Sequence, residues 1–318
     1  MTFIKAAIFL VLFLFTLNAK DINPSYTYLA SGGITDLVIK NGKLYVATKA
    51  SKVDIFDINT KEKISSITLP KIKDFMGDEI NSKIYSVDVL KDSILILSQG
   101  NKGGRAIHIY KDSKLKEIIS AKEKMYIARA KFVSEDKILF ALLSNELYLY
   151  DLKTNKKIYD IQLSQSKFSN FSLNEDRKQV VVADESGILK LVDVASSDLI
   201  KTFAKQNLDN VFQVDIKNNI ILTAGQDRRA AVYDIKANSA YHKNTSFLIY
   251  SAGLSPSGKI AGIASNEQNE VKVFNTKTQR DLSMLKGNNT TLTNIVFINE
   301  KEVFVTSDDE RINYYKID

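Results

Sequence analysis

Short runs of alternating hydrophobic and polar residues fill the chain from Ile34 onward, separated by polar turns. A period of two is typical of strands, and the Val, Ile, Tyr and Phe in these runs suit a pleated sheet surface. The first set predicts strands over residues 34–40, 43–48, 52–58 and 63–69, with Asn41-Gly42 between the first two. Asn-Gly is a strong hairpin signal, because both residues tolerate positive φ. The pattern therefore predicts an all-β chain of antiparallel hairpins.

One short motif recurs at a nearly constant spacing. A large apolar residue followed by a polar residue closes a predicted strand at Phe56, Tyr110, Tyr150, Val192, Tyr233, Phe274 and Tyr315. The spacings are 54, 40, 42, 41, 41 and 41 residues, and all but the first match the roughly 40 to 45 residues of a four-stranded propeller blade. The later blades are predicted to begin near Ile84, Tyr126, Phe168, Val211, Leu248 and Leu292. We predict one seven-bladed β-propeller domain over residues 20–318.

The seventh set of strands is one strand short, since Asp318 directly follows the predicted strand 311–317. A missing strand would leave an unpaired sheet edge. Residues 25–30 precede the first blade and have no other assignment. We predict that they complete the last blade, with Tyr26 and Tyr28 burying one face, and so close the ring.

The turn after several third strands has a common signature. Asp57, Asp151 and Asn275 are each followed three positions later by Thr. Short polar side chains of this kind hydrogen-bond their own backbone and stabilise a bend. We interpret these residues as structural.

The N-terminal 19 residues have the pattern of an export signal. Lys5 is followed by an uncharged apolar run from Ala6 to Leu17, and Ala19 precedes the polar chain. A run of this length is shorter than the roughly 20 residues that span a bilayer, which favours a cleaved signal peptide over an uncleaved anchor or a buried helix. We expect cleavage after Ala19 and a periplasmic location.

Composition narrows the classes of function. The chain has no cysteine, which excludes disulfides and thiolate metal sites, and only two histidines, His108 and His242. We expect neither histidine to form a metal or catalytic site. The net charge is +7, but the basic residues are spread along the chain, unlike the clustered basic residues of nucleic-acid-binding proteins.

Two departures from the regular repeat predict a binding surface. The first spacing places an insertion at residues 70–83, between blades one and two, and blade two has an enlarged turn at residues 99–105. Both connections open on the same face of a propeller, where irregular loops usually carry binding. The insertion contains the adjacent apolar pair Phe75 and Met76, a candidate anchor for a partner unless Phe75 folds back onto the blades. Its candidate basic rim consists of Lys71, Lys73, Lys102 and Arg105.

Arg129 and Lys131 are candidate channel residues, because they fall in the predicted innermost strand of blade three. Innermost strands are mostly apolar or small. The two cations therefore indicate either an ion pair with a neighbouring blade or an anion site. No residue is assigned to catalysis, to a cofactor or to a metal ion.

The residues Thr223-Ala-Gly-Gln-Asp227 and Val232-Tyr233-Asp234 resemble a degenerate repeat of the WD-repeat propellers, with Tyr233 in place of Trp. The Gly-His pair of that family is absent from every repeat. We therefore expect its buried network of Asp, His, Ser and Trp not to form. Asp227 and Asp184 are then expected to bond only their own turns.

As a whole, the chain is also similar to the NapL-type accessory proteins of periplasmic nitrate reductase systems. That resemblance rests on the short signal, the Lys-, Asn- and Ile-rich composition, the degenerate blades and the lack of cysteine. It implies a non-catalytic periplasmic interaction platform, without a cofactor, whose partner is a molybdenum-containing reductase or its maturation apparatus. The alternative is a propeller enzyme or small-ligand binder that uses the central channel, such as a lactonase-like hydrolase.

Overall fold

A computed structural model describes residues 19–317, which form seven antiparallel sheets arranged as the blades of a β-propeller. The predicted signal segment lies outside the described residues, apart from Ala19. The first strand of each blade is innermost and contacts the first strands of its neighbours, including the contact between blades seven and one that closes the ring. The predicted fold class is confirmed.

The strands of the first four blades follow the chain order within each sheet. Blade one consists of Ile34–Lys40, Lys43–Thr48, Lys52–Asp57 and Lys63–Thr68; blade two of Ile84–Leu90, Ser93–Gln99, Arg105–Lys111 and Lys114–Ile119; blade three of Ile127–Ser134, Lys137–Leu142, Glu146–Asp151 and Lys156–Gln162; and blade four of Phe168–Leu173, Gln179–Asp184, Leu189–Asp193 and Leu199–Phe203.

The remaining blades follow the same order, with additions from the N-terminal part of the chain. Blade five consists of Val211–Lys217, Ile220–Gly225, Arg229–Asp234 and Ser239–Asn244; blade six of Ala252–Leu254, Ile260–Ala264, Val271–Asn275 and Asp281–Leu285, with Lys20–Ile22 at its outer edge; and blade seven of Leu292–Asn299, Glu302–Ser307, Arg311–Lys316 and Tyr26–Leu29. A hairpin of Ile72–Lys73 and Glu79–Ile80 stands apart, and short 3₁₀ turns occur at Asn101–Gly103 and Ala121–Glu123.

The predicted turns form as local chemistry dictates. Asn41 and Gly42 have φ values of 50° and 71°, the left-handed conformations of a tight hairpin. Asp57 Oδ1 accepts hydrogen bonds from the backbone N–H groups of Asn59 and Thr60, at 2.8 and 2.9 Å. The innermost strand of blade six begins at Ala252, four residues after the predicted position. The residues from Leu248 to Ser251 lead into the strand, and Ser251 O already accepts from Ala264 N at 3.0 Å.

The predicted closure of the ring is confirmed. Tyr26–Leu29 pairs antiparallel with the third strand of blade seven, in a register that places Tyr28 opposite Ile312. Tyr28 is buried between Phe56 of blade one and Phe304 of blade seven. The expectation that Tyr26 is also buried is wrong. Its ring stands at the rim, 36% exposed, where it packs edge-on against Tyr28 under the ammonium of Lys61.

An additional strand was not predicted. Lys20–Ile22 pairs in parallel with the outermost strand of blade six, where Lys286 N donates to Ile22 O at 2.9 Å. Lys286 Nζ also lies 2.7 Å from a carboxylate oxygen of Asp21. The N-terminal part of the chain thus covers the edge of one blade before it completes the next.

A buried polar network in blade five corrects one expectation. The amide of Asn207, in the connection that enters the blade, accepts a hydrogen bond from Thr223 Oγ1 at 2.7 Å and donates to Asp227 Oδ1 at 3.1 Å. Thr223 Oγ1 in turn accepts from the backbone N–H of Ala231. Asp227 therefore does more than stabilise its own turn, because it also accepts a hydrogen bond from Asn207 in the connection that enters the blade. Asp184 likewise accepts from Asn145 Nδ2 of the preceding blade, at 2.9 Å.

Candidate functional site

The insertion between blades one and two forms a short, well-braced hairpin rather than an irregular loop. Ile72 pairs with Ile80 and Lys73 with Glu79. At the tip, Asp74 Oδ1 accepts from the backbone N–H groups of Met76 and Asp78, at 2.8 and 2.9 Å. Gly77 has a φ of +95°, a conformation that a residue with a side chain would adopt only under strain. The hairpin therefore has its own stabilising contacts.

The enlarged turn of blade two supports this hairpin, as the sequence predicts. Asn101 Oδ1 accepts from the backbone N–H of Lys73 at 2.7 Å. At the base of the hairpin, Ser82 N donates to Ser51 Oγ and Ser82 Oγ donates to Gln99 O, both at 2.6 Å. Three anchors thus connect the insertion to blades one and two. We refer to residues 70–83, together with the turn Asn101–Gly103, as the docking hairpin.

Phe75 and Met76 lie at the tip of the docking hairpin and point into solvent. They are 78% and 86% exposed, more than any other large apolar side chain that the structure describes. One ring edge of Phe75 lies over Gly103 in the turn of blade two. The alternative in which Phe75 folds back onto the blades would bury the ring, and the ring is not buried.

The charges around this pair are mixed. Lys71, Lys73 and Lys102 are exposed and form no ion pair with any residue among 19–317. Arg105, the fourth member of the predicted rim, instead stacks its guanidinium on the ring of Tyr85, 3.5 Å from the ring centre. Burial lowers the pKa of Arg105, and the contact with Tyr85 counteracts that lowering. Arg105 therefore packs against blade two and is not part of the basic rim. The rim consists of Lys71, Lys73 and Lys102.

Carboxylates on the innermost strands tie neighbouring blades together. Asp36 Oδ2 of blade one accepts from the backbone N–H of Val87 in blade two, at 3.0 Å. Asp88 of blade two accepts in the same way from Phe132 of blade three, at 2.8 Å, and Asp215 of blade five from Leu254 of blade six, at 3.0 Å. Asp36 and Asp88 are buried and Asp215 is half-buried. Each carboxylate thus provides an acceptor for a backbone N–H of the next blade, where no sheet ladder provides one.

Lys131 and Arg129 complete the first of these connections. Lys131 Nζ lies 3.2 Å from Asp36 Oδ2 and donates to Val87 O at 2.7 Å, so that one side chain of blade three holds both partners of the contact between blades one and two. Arg129 Nη2 lies 3.8 Å from Asp36 Oδ1. Burial lowers the pKa of Lys131, and Asp36 counteracts that lowering. The structure therefore pairs both candidate channel residues with Asp36 of blade one, which lies beyond the neighbouring blade two.

A second clamp of the same kind connects blades two, three and four. Arg177 Nη1 of blade four lies 2.6 Å from Asp88 Oδ2 and donates to Phe132 O at 2.5 Å. Asp36, Asp88 and Arg177 are not among the site residues predicted from the sequence. A signal was present, because an aspartate stands within an otherwise apolar predicted innermost strand at Thr35-Asp36-Leu37, Val87-Asp88-Val89 and Val214-Asp215-Ile216.

The two histidines occupy separate structural positions. His108 lies opposite Glu117 in blade two, where burial lowers its pKa and Glu117 counteracts the effect. His242 Nδ1 lies 2.7 Å from Gln206 Oε1. Among the described residues, no cluster of three or more histidine and carboxylate side chains has the arrangement of a metal site.

Comparison with known proteins adds no identity to this geometry. No protein-family model and no curated protein matches the chain. Within residues 19–317, no helix has the length and apolar character needed to cross a lipid bilayer.

Proposed function

We propose that this protein is a non-catalytic interaction platform that binds another protein through the docking hairpin. The observation that carries the proposal is the exposure of Phe75 and Met76 at the tip of a braced hairpin. Scattered exposed apolar residues are normal on protein surfaces. An adjacent pair that projects from a rigid support has the character of an interface anchor, because it can enter a pocket of a partner and lose all of its contact with water.

The contacts of the hairpin favour tight docking. Its two anchoring side chains, Asn101 and Ser82, and the turn-forming Asp74 hold the backbone before a partner arrives. A preorganised element loses less conformational freedom on binding than a free loop would. A larger part of the free energy gained by burying Phe75 and Met76 therefore contributes to the affinity for the partner.

The charges define the partner's surface. Lys71 and Lys73 of the hairpin and Lys102 of the adjacent turn are exposed and have no ion-pair partner among the described residues, whereas Asp74 accepts from its own backbone. The exposed carboxylates of the hairpin are Asp78 and Glu79, and Glu79 stands opposite Lys73. The partner we propose carries an apolar pocket bordered by carboxylates. Such complementarity accelerates association and makes it sensitive to ionic strength.

The sequence supports a cellular location and a partner for this platform. The predicted signal supports export to the periplasm, and the resemblance to NapL-type accessory proteins supports a role beside a periplasmic nitrate reductase. We propose that the partner is this molybdenum-containing reductase or a protein of its maturation apparatus. The channel supports a role without catalysis, because Asp36, Asp88 and Asp215 each hold a neighbouring blade.

A double variant tests the docking proposal. Phe75→Ala with Met76→Ser is expected to raise the dissociation constant for the purified periplasmic nitrate reductase of the same organism by about tenfold or more, the effect of losing an interface anchor. The melting temperature should stay unchanged, because both side chains are exposed. Biolayer interferometry and a thermal melt measure the two quantities.

The matched control is Leu199→Ser with Ile200→Ser, an adjacent exposed apolar pair on the outer strand of blade four. It should leave the affinity unchanged. Raising the ionic strength from about 0.05 to 0.5 M should weaken binding by the parent protein and have less effect once Lys71, Lys73 and Lys102 are changed to Gln. Equal affinity of the parent and the Phe75/Met76 variant would refute docking through this hairpin.

A further inference from the structure

The central channel contains a cavity of about 170 Å³ with an incompletely bonded arginine in its wall. Arg129 lines this cavity, and its buried Nε has no hydrogen-bond partner among the described residues. Among residues 19–317, its one ion-pair partner is Asp36, at 3.8 Å, which is longer than a hydrogen bond. A guanidinium offers five N–H donors in a fixed fork; the Nε of Arg129 is buried, and its terminal Nη donors make no hydrogen bond with the described residues and remain available to a ligand.

The positive charge of Arg129 is also poorly compensated. Asp36 is already neutralised by the closer ammonium of Lys131 and by the N–H of Val87. The other carboxylate in the wall, Asp215, accepts from Leu254 N and lies 3.7 Å from Lys217 Nζ. Each aspartate in the wall thus has a closer cation than Arg129 or a cation of its own. A half-buried charge without full compensation can attract a ligand of opposite sign.

Neutral amides extend the site around this arginine. Asn170 lines the cavity, and its side chain makes no hydrogen bond with the described part of the chain. Asn294 lines the cavity as well and uses only its Nδ2, which donates to Thr306 Oγ1 at 3.0 Å. Gln213 is fully engaged with Thr293 O and Ala252 N. The cavity therefore combines the guanidinium of Arg129 with the free amide of Asn170 and the free amide oxygen of Asn294.

We propose that this cavity binds a small carboxylate, with the carboxylate group on the guanidinium of Arg129 and the polar remainder against Asn170 and Asn294. A planar guanidinium matches a carboxylate in a paired geometry. A cavity of roughly 150 Å³ accepts a ligand of about six non-hydrogen atoms such as benzene, so the channel has room for an anion of the size of pyruvate. This site is separate from the docking hairpin and independent of the function proposed for it.

Titration calorimetry with pyruvate as the probe tests the site. We expect saturable binding that Arg129→Gln weakens by about tenfold or more, since hydrogen bonds to charged groups contribute about 1.5–3 kcal/mol. Arg129→Lys keeps the charge but loses the fork, and it should also bind more weakly than the parent. Asn170→Leu should reduce affinity several-fold, and because its amide makes no bond in the fold, the variant should fold normally.

Arg280→Gln is the matched control, because Arg280 is exposed at a turn of blade six. It should bind pyruvate like the parent. Pyruvamide, a neutral isostere, should not bind. Equal binding of pyruvamide, full affinity in both Arg129 variants, or no binding of pyruvate at millimolar concentration would each overturn the proposal.

Discussion

Removal of residues 20–30 is expected to lower the free energy of unfolding by more than about 4 kcal/mol, because the deletion takes away the strand that completes blade seven. Tyr28 is 3% exposed and belongs to a hydrophobic cluster shared by blades seven and one. The backbone contributes as well, since Ser25 N donates to Tyr314 O and Ala30 N to Glu310 O, both at 2.8 Å. Urea unfolding of the protein produced without residues 1–19 measures the effect.

Two controls separate the closing strand from the rest of the N-terminal segment. Deleting residues 20–24 removes only the extra strand on blade six, and it should lower the free energy of unfolding much less than the deletion of residues 20–30 does. Tyr28→Ala should by itself cost about 3–5 kcal/mol, the range for large buried aromatic residues. Tyr26→Ala, on the same face but at the exposed rim, should cost about 1 kcal/mol or less. Equal unfolding midpoints for the two deletions would contradict the assignment of Tyr26–Leu29 as the closing strand.

Asp36→Ala is expected to lower the free energy of unfolding by about 3–5 kcal/mol, the usual effect of removing one partner of a buried ion pair. The change leaves the ammonium of Lys131, whose side chain is 13% exposed, and the backbone N–H of Val87 without their acceptor. Exposed ion pairs provide the control, because they contribute about 0–1 kcal/mol. Lys91→Ala, which breaks the surface pair with Glu135, should therefore have little effect.

The double variant Asp36→Leu with Lys131→Met tests whether the loss comes from an uncompensated charge. It should recover part of the stability that Asp36→Ala loses, since no charge of this pair is then left in the interior. A larger loss of stability in the double variant than the sum of the losses in Asp36→Leu and Lys131→Met alone would contradict the clamp as the source of stability. Urea unfolding at neutral pH of the parent protein, these two single variants and the double variant gives the four free energies.

The same contact predicts a pH dependence. Burial alone would raise the pKa of Asp36, but Lys131, Arg129 and the N–H of Val87 outweigh burial and hold the pKa below its ordinary value. A carboxyl with a lowered native pKa adds stability that is complete above its unfolded pKa, about 3.9, and is lost as the pH falls through the native pKa. Asp36→Asn should therefore lose less stability than the parent protein between about pH 4 and 2.

The sequence by itself determined the blades, because their signals are local. Alternation fixes which face of a strand is buried, and the turn residues fix where the chain reverses. The strand Ile34–Lys40, the turn at Asn41 and Gly42, and the closing segment Tyr26–Leu29 all stand where they were predicted. The adjacency of the insertion and the blade-two turn also followed, since it depends only on strand order.

Only the tertiary structure decided which polar residues meet. Lys131 reaches Asp36 across blade two, and Arg177 reaches Asp88 across blade three, in each case between positions far apart in the chain. The hydrogen bonds of Asn207 with Thr223 and Asp227 in blade five, and the exposure of Tyr26 beside the buried Tyr28, are equally invisible to local patterns. The physical reason is that a strand pattern specifies which side of a sheet a residue faces. The curvature of the ring then decides which side chains from different blades come within hydrogen-bonding distance.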